Sequence, residues 1–178
     1  MNLRLLILIP LMLIQLAVPG FMIFRQEQIL QFGRVFKFKT APVDPYDAFR
    51  GRFVSLQFAL ASDTGNVDYT YQNRTVWVRF GEDENGFAKI SEESKIPLSG
   101  EGVLMTTRRY GRLQLPFERY YMDEHKAPNA EAAYFDNNRR NHQNVYAAVR
   151  ILNGHAALEE LYIDNKPILE FLRTDPKK

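Results

Sequence analysis

The longest stretch without a charge runs over residues 5–24, twenty positions rich in Leu and Ile. As a helix it would measure about 30 Å, the thickness of a bilayer hydrocarbon core. Arg4 precedes it, and Arg25, Gln26 and Glu27 close it. Pro10, Gln15, Pro19 and Gly20 interrupt the pattern. Membrane spans tolerate proline and glycine where the freed backbone groups find other partners. A removed signal peptide is the competing reading; it needs a shorter apolar run and a small-x-small exit. The best small pair near the end, Ala17 and Gly20, has the wrong spacing, with Pro19 between its members. Run length and the missing exit favour an uncleaved anchor. The helix is expected to extend over residues 27–31 and to stop at Gly33.

Beyond Gly33 the period drops to two, the spacing of a strand with alternating faces. Residues 34–40 set Phe36 and Phe38 opposite Val35, Lys37 and Lys39. Residues 44–58 then read as a corner. Asp44 can accept hydrogen bonds from the donors that a helix start leaves free, and Pro45 suits the first helical position. Asp47 meets the positive end of the turn, Arg50 the negative end, and Gly51 supplies a left-handed stop. From Arg52 a strand is expected to run to about residue 61. It puts Val54, Leu56, Phe58 and Leu60 on one face and Phe53, Ser55, Gln57 and Ala59 on the other.

Further strands are expected at 75–80, 87–91, 103–109, 145–152 and 155–163. The acidic turn 81–86 joins the first two of these, and Asn153-Gly154 is the strongest hairpin signal in the chain. Residues 67–72 read as a short strand or part of a longer excursion. Residues 112–115 alternate, 117–122 are aromatic, and 92–102 are polar and rich in turn residues. Asn129 is expected to cap a helix through about residue 140. The tail after residue 167 is short and ends polar. The expected class is mainly β (α+β): a transmembrane helix over residues 1–32, counting its juxtamembrane turn, then one β-rich domain with a short helix over 33–178.

Composition narrows the chemistry. The chain has 178 residues, 23 basic and 21 acidic side chains, and a net charge of +2. Near balance argues against a nucleic-acid surface, which needs clustered basic excess. The sequence holds no cysteine, which excludes disulfides, thiol catalysis and cysteine-based zinc sites. Thirteen Phe and nine Tyr suit a β-rich core.

The corner also carries a likeness. Gly51-Arg52-Phe53-Val54-Ser55-Leu56-Gln57-Phe58, with its lead-in Thr40-Ala41-Pro42-Val43-Asp44-Pro45 and Arg50, resembles the signature of the GDYXXLXY family. Glu118-Arg119-Tyr120-Tyr121 and the segment Leu161-Tyr162-Ile163-Asp164-Asn165-Lys166-Pro167 resemble later blocks of the same family. The likeness spans about residues 33–168. Arg52 stands where the family name has Asp, and Phe53 and Phe58 stand where it has Tyr. A role needing that carboxylate or those hydroxyls is therefore out of place here, whereas the aromatic and leucine positions suit packing. The family motif positions are Asp44, Pro45, Arg50, Gly51, Arg52, Phe53, Leu56 and Phe58. The resemblance implies a bacterial membrane-anchored protein without an assigned activity. It implies a domain outside the cytoplasmic membrane and a neighbouring membrane or envelope protein as partner, beside the lipid bilayer met by residues 5–24. Arg25, Arg34, Lys37 and Lys39 after the span argue for the opposite sidedness, but long domains obey the charge rule poorly.

Candidate chemistry is sparse. A second likeness is to signal peptidases, which are also anchored and β-rich, with a lysine base on a late strand; Lys89 would stand there. That chemistry needs a serine hydroxyl within reach of a neutral lysine. Residues 25–50 contain no serine, Thr40 is a poor substitute, and Ser55 lies inside the strand. His125, His142 and His155 lack helical ligand spacing. No catalytic, cofactor or metal residue is assigned, and the expectation is a non-enzymatic accessory protein; the alternative is a signal-peptidase-like scaffold or small hydrolase. Arg108, Arg109, Tyr110, Arg112, Arg119, Tyr120 and Tyr121 form an aromatic–basic stretch. Such a stretch can grip a ligand, or make a solvated face whose long stems cover aromatics. Arg109, Arg119, Tyr120 and Tyr121 are its candidate contact surface.

Overall fold

A computed structural model describes residues 3–41, 53–62, 73–139 and 145–174, with side chains for all of these except 3–7, 9, 61, 62 and 139. Helix α1, Leu3–Phe32, is continuous over 30 residues and contains Pro10 and Pro19. Its described side chains from Leu8 through Gln28 are exposed, and Ile29 is the first to be buried. Among the described residues, no helix is long and apolar enough to cross a membrane.

Gly33 ends the helix as expected. Its N–H donates to the Ile29 carbonyl at 2.9 Å. A Cβ on Gly33 would stand 2.4 Å from that oxygen and 3.0 Å from Arg150 Cβ, so only glycine lets the chain turn this close to the sheet.

Strand β1 (Arg34–Lys39) follows at once and pairs antiparallel with a later strand, Val145–Leu152. The chain then forms a short strand β2 (Phe53–Ser55) and a 3-10 turn, Ala59–Ser62. Strands β3 (Arg74–Glu82), β4 (Ala88–Ser94), β5 (Val103–Arg109) and β6 (Arg112–Gln114) form one antiparallel sheet in the order β4-β3-β5-β6. Among the described residues, strand β7 (Arg119–Tyr121) pairs with β2 alone. Helix α2 (Ala127–Arg139) leads to β8 (Val145–Leu152), β9 (His155–Ile163), β10 (Lys166–Pro167) and helix α3 (Ile168–Thr174). The second large sheet has the order β1-β8-β9-β10.

The two large sheets touch at two seams. Lys37 of β1 bridges Phe87, just before β4. At the other seam Met105 N–H donates to Gly154 O at 3.0 Å, and Gly154 N–H to Val103 O at 3.1 Å. Between them lies an aromatic core. The Phe38 ring meets Phe58, Phe80 and Phe117 at centroid distances of 5.9, 5.0 and 4.9 Å, all edge to face. One residue from β1, one from the corner, one from β3 and one before β7 therefore share a contact, which quadrupole geometry favours.

Four expectations change. The strand after the corner stops at Ser55, because β7 offers only three residues to pair with. Leu56 N–H then bonds the Glu118 carbonyl at 2.8 Å, and Phe58 turns into the core. Strand β4 runs on to Ser94, since Trp77, Val78 and Arg79 of β3 supply partners for Ser94, Glu93 and Glu92. Asn129 is not the cap of α2. The Asp123 side chain accepts from His125 N–H at 2.9 Å and its carbonyl from Ala127 N–H, so the helix starts earlier; Pro128 then sits in the first turn, where no donor is missed. The tail forms α3, anchored by the buried Ile168. The expected excursion at 67–72 lies outside the described residues.

Candidate functional site

The β2–β7 ribbon decides which aromatic and basic side chains reach the surface. Alternation sends Val54 inward, where it is fully buried. Phe53 faces Tyr121 in register, with ring centroids 5.7 Å apart. The Arg119 guanidinium lies 5.0 Å from the Phe53 centroid, a cation over a ring face. Tyr121 stays 66% exposed. Phe53, Arg119 and Tyr121 thus make one small patch that is both apolar and cationic.

Tyr120 points the other way. Its hydroxyl donates to Glu160 of β9 at 2.5 Å. Burial raises its pKa, and the hydrogen bond and negative charge of Glu160 add to the effect. Burial likewise raises the pKa of Glu118. Arg109 belongs to the β5–β6 hairpin, where its guanidinium lies 5.5 Å from the Tyr110 ring. Arg108 is buried; it pairs with Glu93 and donates to Gly111 O at 2.6 Å. The aromatic–basic stretch is therefore not one face. Period two and a hairpin divide it into a core ion pair, a hairpin tip and the β2–β7 patch.

The family motif divides in the same way. Leu56 and Phe58 are core residues and Phe53 is half-buried. Asp44, Pro45, Arg50, Gly51 and Arg52 lie outside the described residues, as does His142. The chain leading to the corner is held by a polar clamp. Thr40 Oγ1 donates to Val145 O at 2.9 Å, Ala41 N–H to Gln57 O at 2.8 Å, and Asn138 Nδ2 to Ala41 O at 2.8 Å. The Tyr134 hydroxyl lies 3.4 Å from the same carbonyl, and burial pushes its pKa up to about 12. Nothing in the local sequence around Asn138 announces this role, because its partner is 97 residues away.

The residues proposed for peptidase chemistry are placed as follows. Lys89 is exposed on β4, the edge strand of its sheet. The Thr40 hydroxyl is buried and spends its proton on Val145. Ser55 is exposed on β2. Among the described residues no three His, Asp or Glu side chains gather as a metal site.

A second set of contacts fastens α1 to the domain. Arg25 donates to His155 Nε2 at the β8–β9 turn. Arg150 bonds Glu159 through Nε and Nη2, both at 2.9 Å, and reaches the Gly33 carbonyl at 3.3 Å. Burial lowers the His155 pKa, and the Arg25 charge lowers it further. Phe21, Phe24, Arg25, Ile29, Leu152 and His155 border an open groove of about 400 Å³ here.

No curated protein and no solved structure matches the chain. One family model does, over residues 15–161, which takes in α1 from Gln15 onward, the corner, the sheet β4-β3-β5-β6, and β1, β8 and most of β9. The chain belongs to the family of that model, described as GDYXXLXY protein.

Proposed function

We propose that the protein is a non-enzymatic, membrane-anchored accessory of the bacterial envelope. Residues 5–24 of α1 cross the cytoplasmic membrane once, and the β-rich domain stands at its outer face and contacts a membrane or envelope protein. One observation carries the reading. The domain leaves the apolar side chains of α1 uncovered: Phe21, Met22 and Ile23 are 65, 66 and 70% exposed, while Ile29, two turns on, is 5% exposed. Each such side chain moved out of water is worth about 1.5–3 kcal/mol. A contiguous apolar surface on this scale needs lipid or protein against it. Counted in the sequence, where it begins ahead of the described side chains, the uncharged run from Leu5 to Phe24 has the length that lipid requires. For the partner contact the reading relies on Phe53, Arg119 and Tyr121, residue types enriched where proteins meet.

The test uses full-length protein in its native membrane. It is expected to resist alkaline extraction and to float with vesicles. Protease added to the outside of spheroplasts should digest the domain. Release by alkali, or a domain protected until the cells are lysed, would overturn the anchor or its sidedness respectively.

A further inference from the structure

We propose that Gln15 pairs two copies of the chain within the bilayer, each carboxamide bonding the other copy. The inference rests on the membrane-span reading above. Gln15 lies at the centre of residues 5–24, about 15 Å from either interface. Its side chain is too short to reach either one. It is exposed on α1 and has no hydrogen-bond partner among the described residues.

A second group, lacking its regular donor, lies at the same level. Pro19 sits inside α1, and proline has no N–H to donate to the carbonyl four residues earlier. That carbonyl belongs to Gln15. One residue therefore presents two side-chain N–H donors, a side-chain oxygen and a main-chain oxygen without its regular donor. Hydrocarbon offers these groups nothing.

The inventory is self-complementary. In a two-fold pair, each amide can give one N–H to the partner's side-chain oxygen and the other to the partner's freed carbonyl. Two donors meet two acceptors in each direction, as an isologous contact requires. Leu8, Leu11, Met12 and Val18 lie on the same helical face, and all are exposed. They would supply the packing around the polar centre. Side-chain amides hydrogen-bond across membrane helices in this way.

Because the sequence has no cysteine, one introduced thiol reports one helix face. Full-length Leu11→Cys and Val18→Cys proteins, and Leu13→Cys on the opposite face, are placed in liposomes and oxidised. The first two are expected to form dimers and the third not. Adding Gln15→Leu to Leu11→Cys should lower the dimer fraction about tenfold at a limiting protein-to-lipid ratio. Equal dimer yield from both faces, or an unchanged yield in the double variant, would overturn the pairing. So would cross-linking of Leu11→Cys in native membranes to a different protein in place of its own copy. Flotation of the same liposomes separates the two claims. Protein that fails to float removes the span and the pairing with it; protein that floats without dimers removes the pairing alone.

Discussion

Asn138 shows how one side chain can hold a distant corner. It is buried, and its amide caps the Ala41 carbonyl at 2.8 Å, where the chain departs for the family motif. Asn138→Ala leaves that acceptor short of its best donor and should cost about 1–2 kcal/mol, read as a lower urea midpoint. His155 is a described residue whose charge changes near neutral pH. Its folded pKa lies below the ordinary 6.5 because of burial and the Arg25 charge. The unfolded chain therefore takes up the proton first as pH falls through about 6.5. Stability attributable to this site is complete above that value and declines below it, until the folded pKa is reached. The thermal midpoint should fall more between about pH 7 and about pH 5 in the parent than in His155→Gln, whose amide can still accept from Arg25. An equal fall in both would show that the histidine is not responsible.

The β8–β9 hairpin meets α1, β1, β5 and α3. Asn153 and Gly154 have φ of 48° and 82°, the left-handed pair that a two-residue turn requires. Gly154 also bonds β5 through both of its main-chain groups, and a Cβ there would meet the Trp77 ring at 3.1 Å. Gly154→Ala is expected to destabilise by about 1 kcal/mol or more, since it strains the turn and pushes on the seam. The loss should appear in thermal unfolding, together with weaker protection of β5 amides from hydrogen exchange. This hairpin was legible in the sequence because dipeptide and flanking alternation are local signals. The same holds for β5, β8 and β9, whose bounds follow their alternation. The end of β2 was not legible, because it depends on how few residues β7 offers across the ribbon. The start of α2 was misplaced for a related reason: Asp123 competes with Asn129 as a cap, and only the folded turn decides between them.

At the scale of the molecule, Phe38 is the point where the layers meet. It is fully buried and touches rings from three other segments. Phe38→Ala should cost about 3–5 kcal/mol in chemical unfolding of the detergent-solubilised protein. A loss no larger than that of an exposed aromatic would mean the two sheets are held some other way. The Phe53–Arg119–Tyr121 patch makes a separate prediction: Tyr121→Ala should leave the unfolding midpoint within about 0.5 kcal/mol of the parent, as surface changes do. It should nevertheless reduce cross-linking from a photoreactive group placed at Ser55, if this face is the docking surface.

The sequence by itself determined the apolar run, the switch from helix to strand at Gly33 and the Asn153-Gly154 hairpin, and it carried the family likeness. Each is written in neighbouring residues, where spacing alone sets which side chains share a face. Only the tertiary structure decided that Arg108 is a core ion-pair residue while Arg119 lies on the surface. It also decided that Tyr120 turns inward to Glu160, and that Asn138 holds the start of the corner. Those outcomes depend on partners many residues away, and a partner's position is a property of the packed chain.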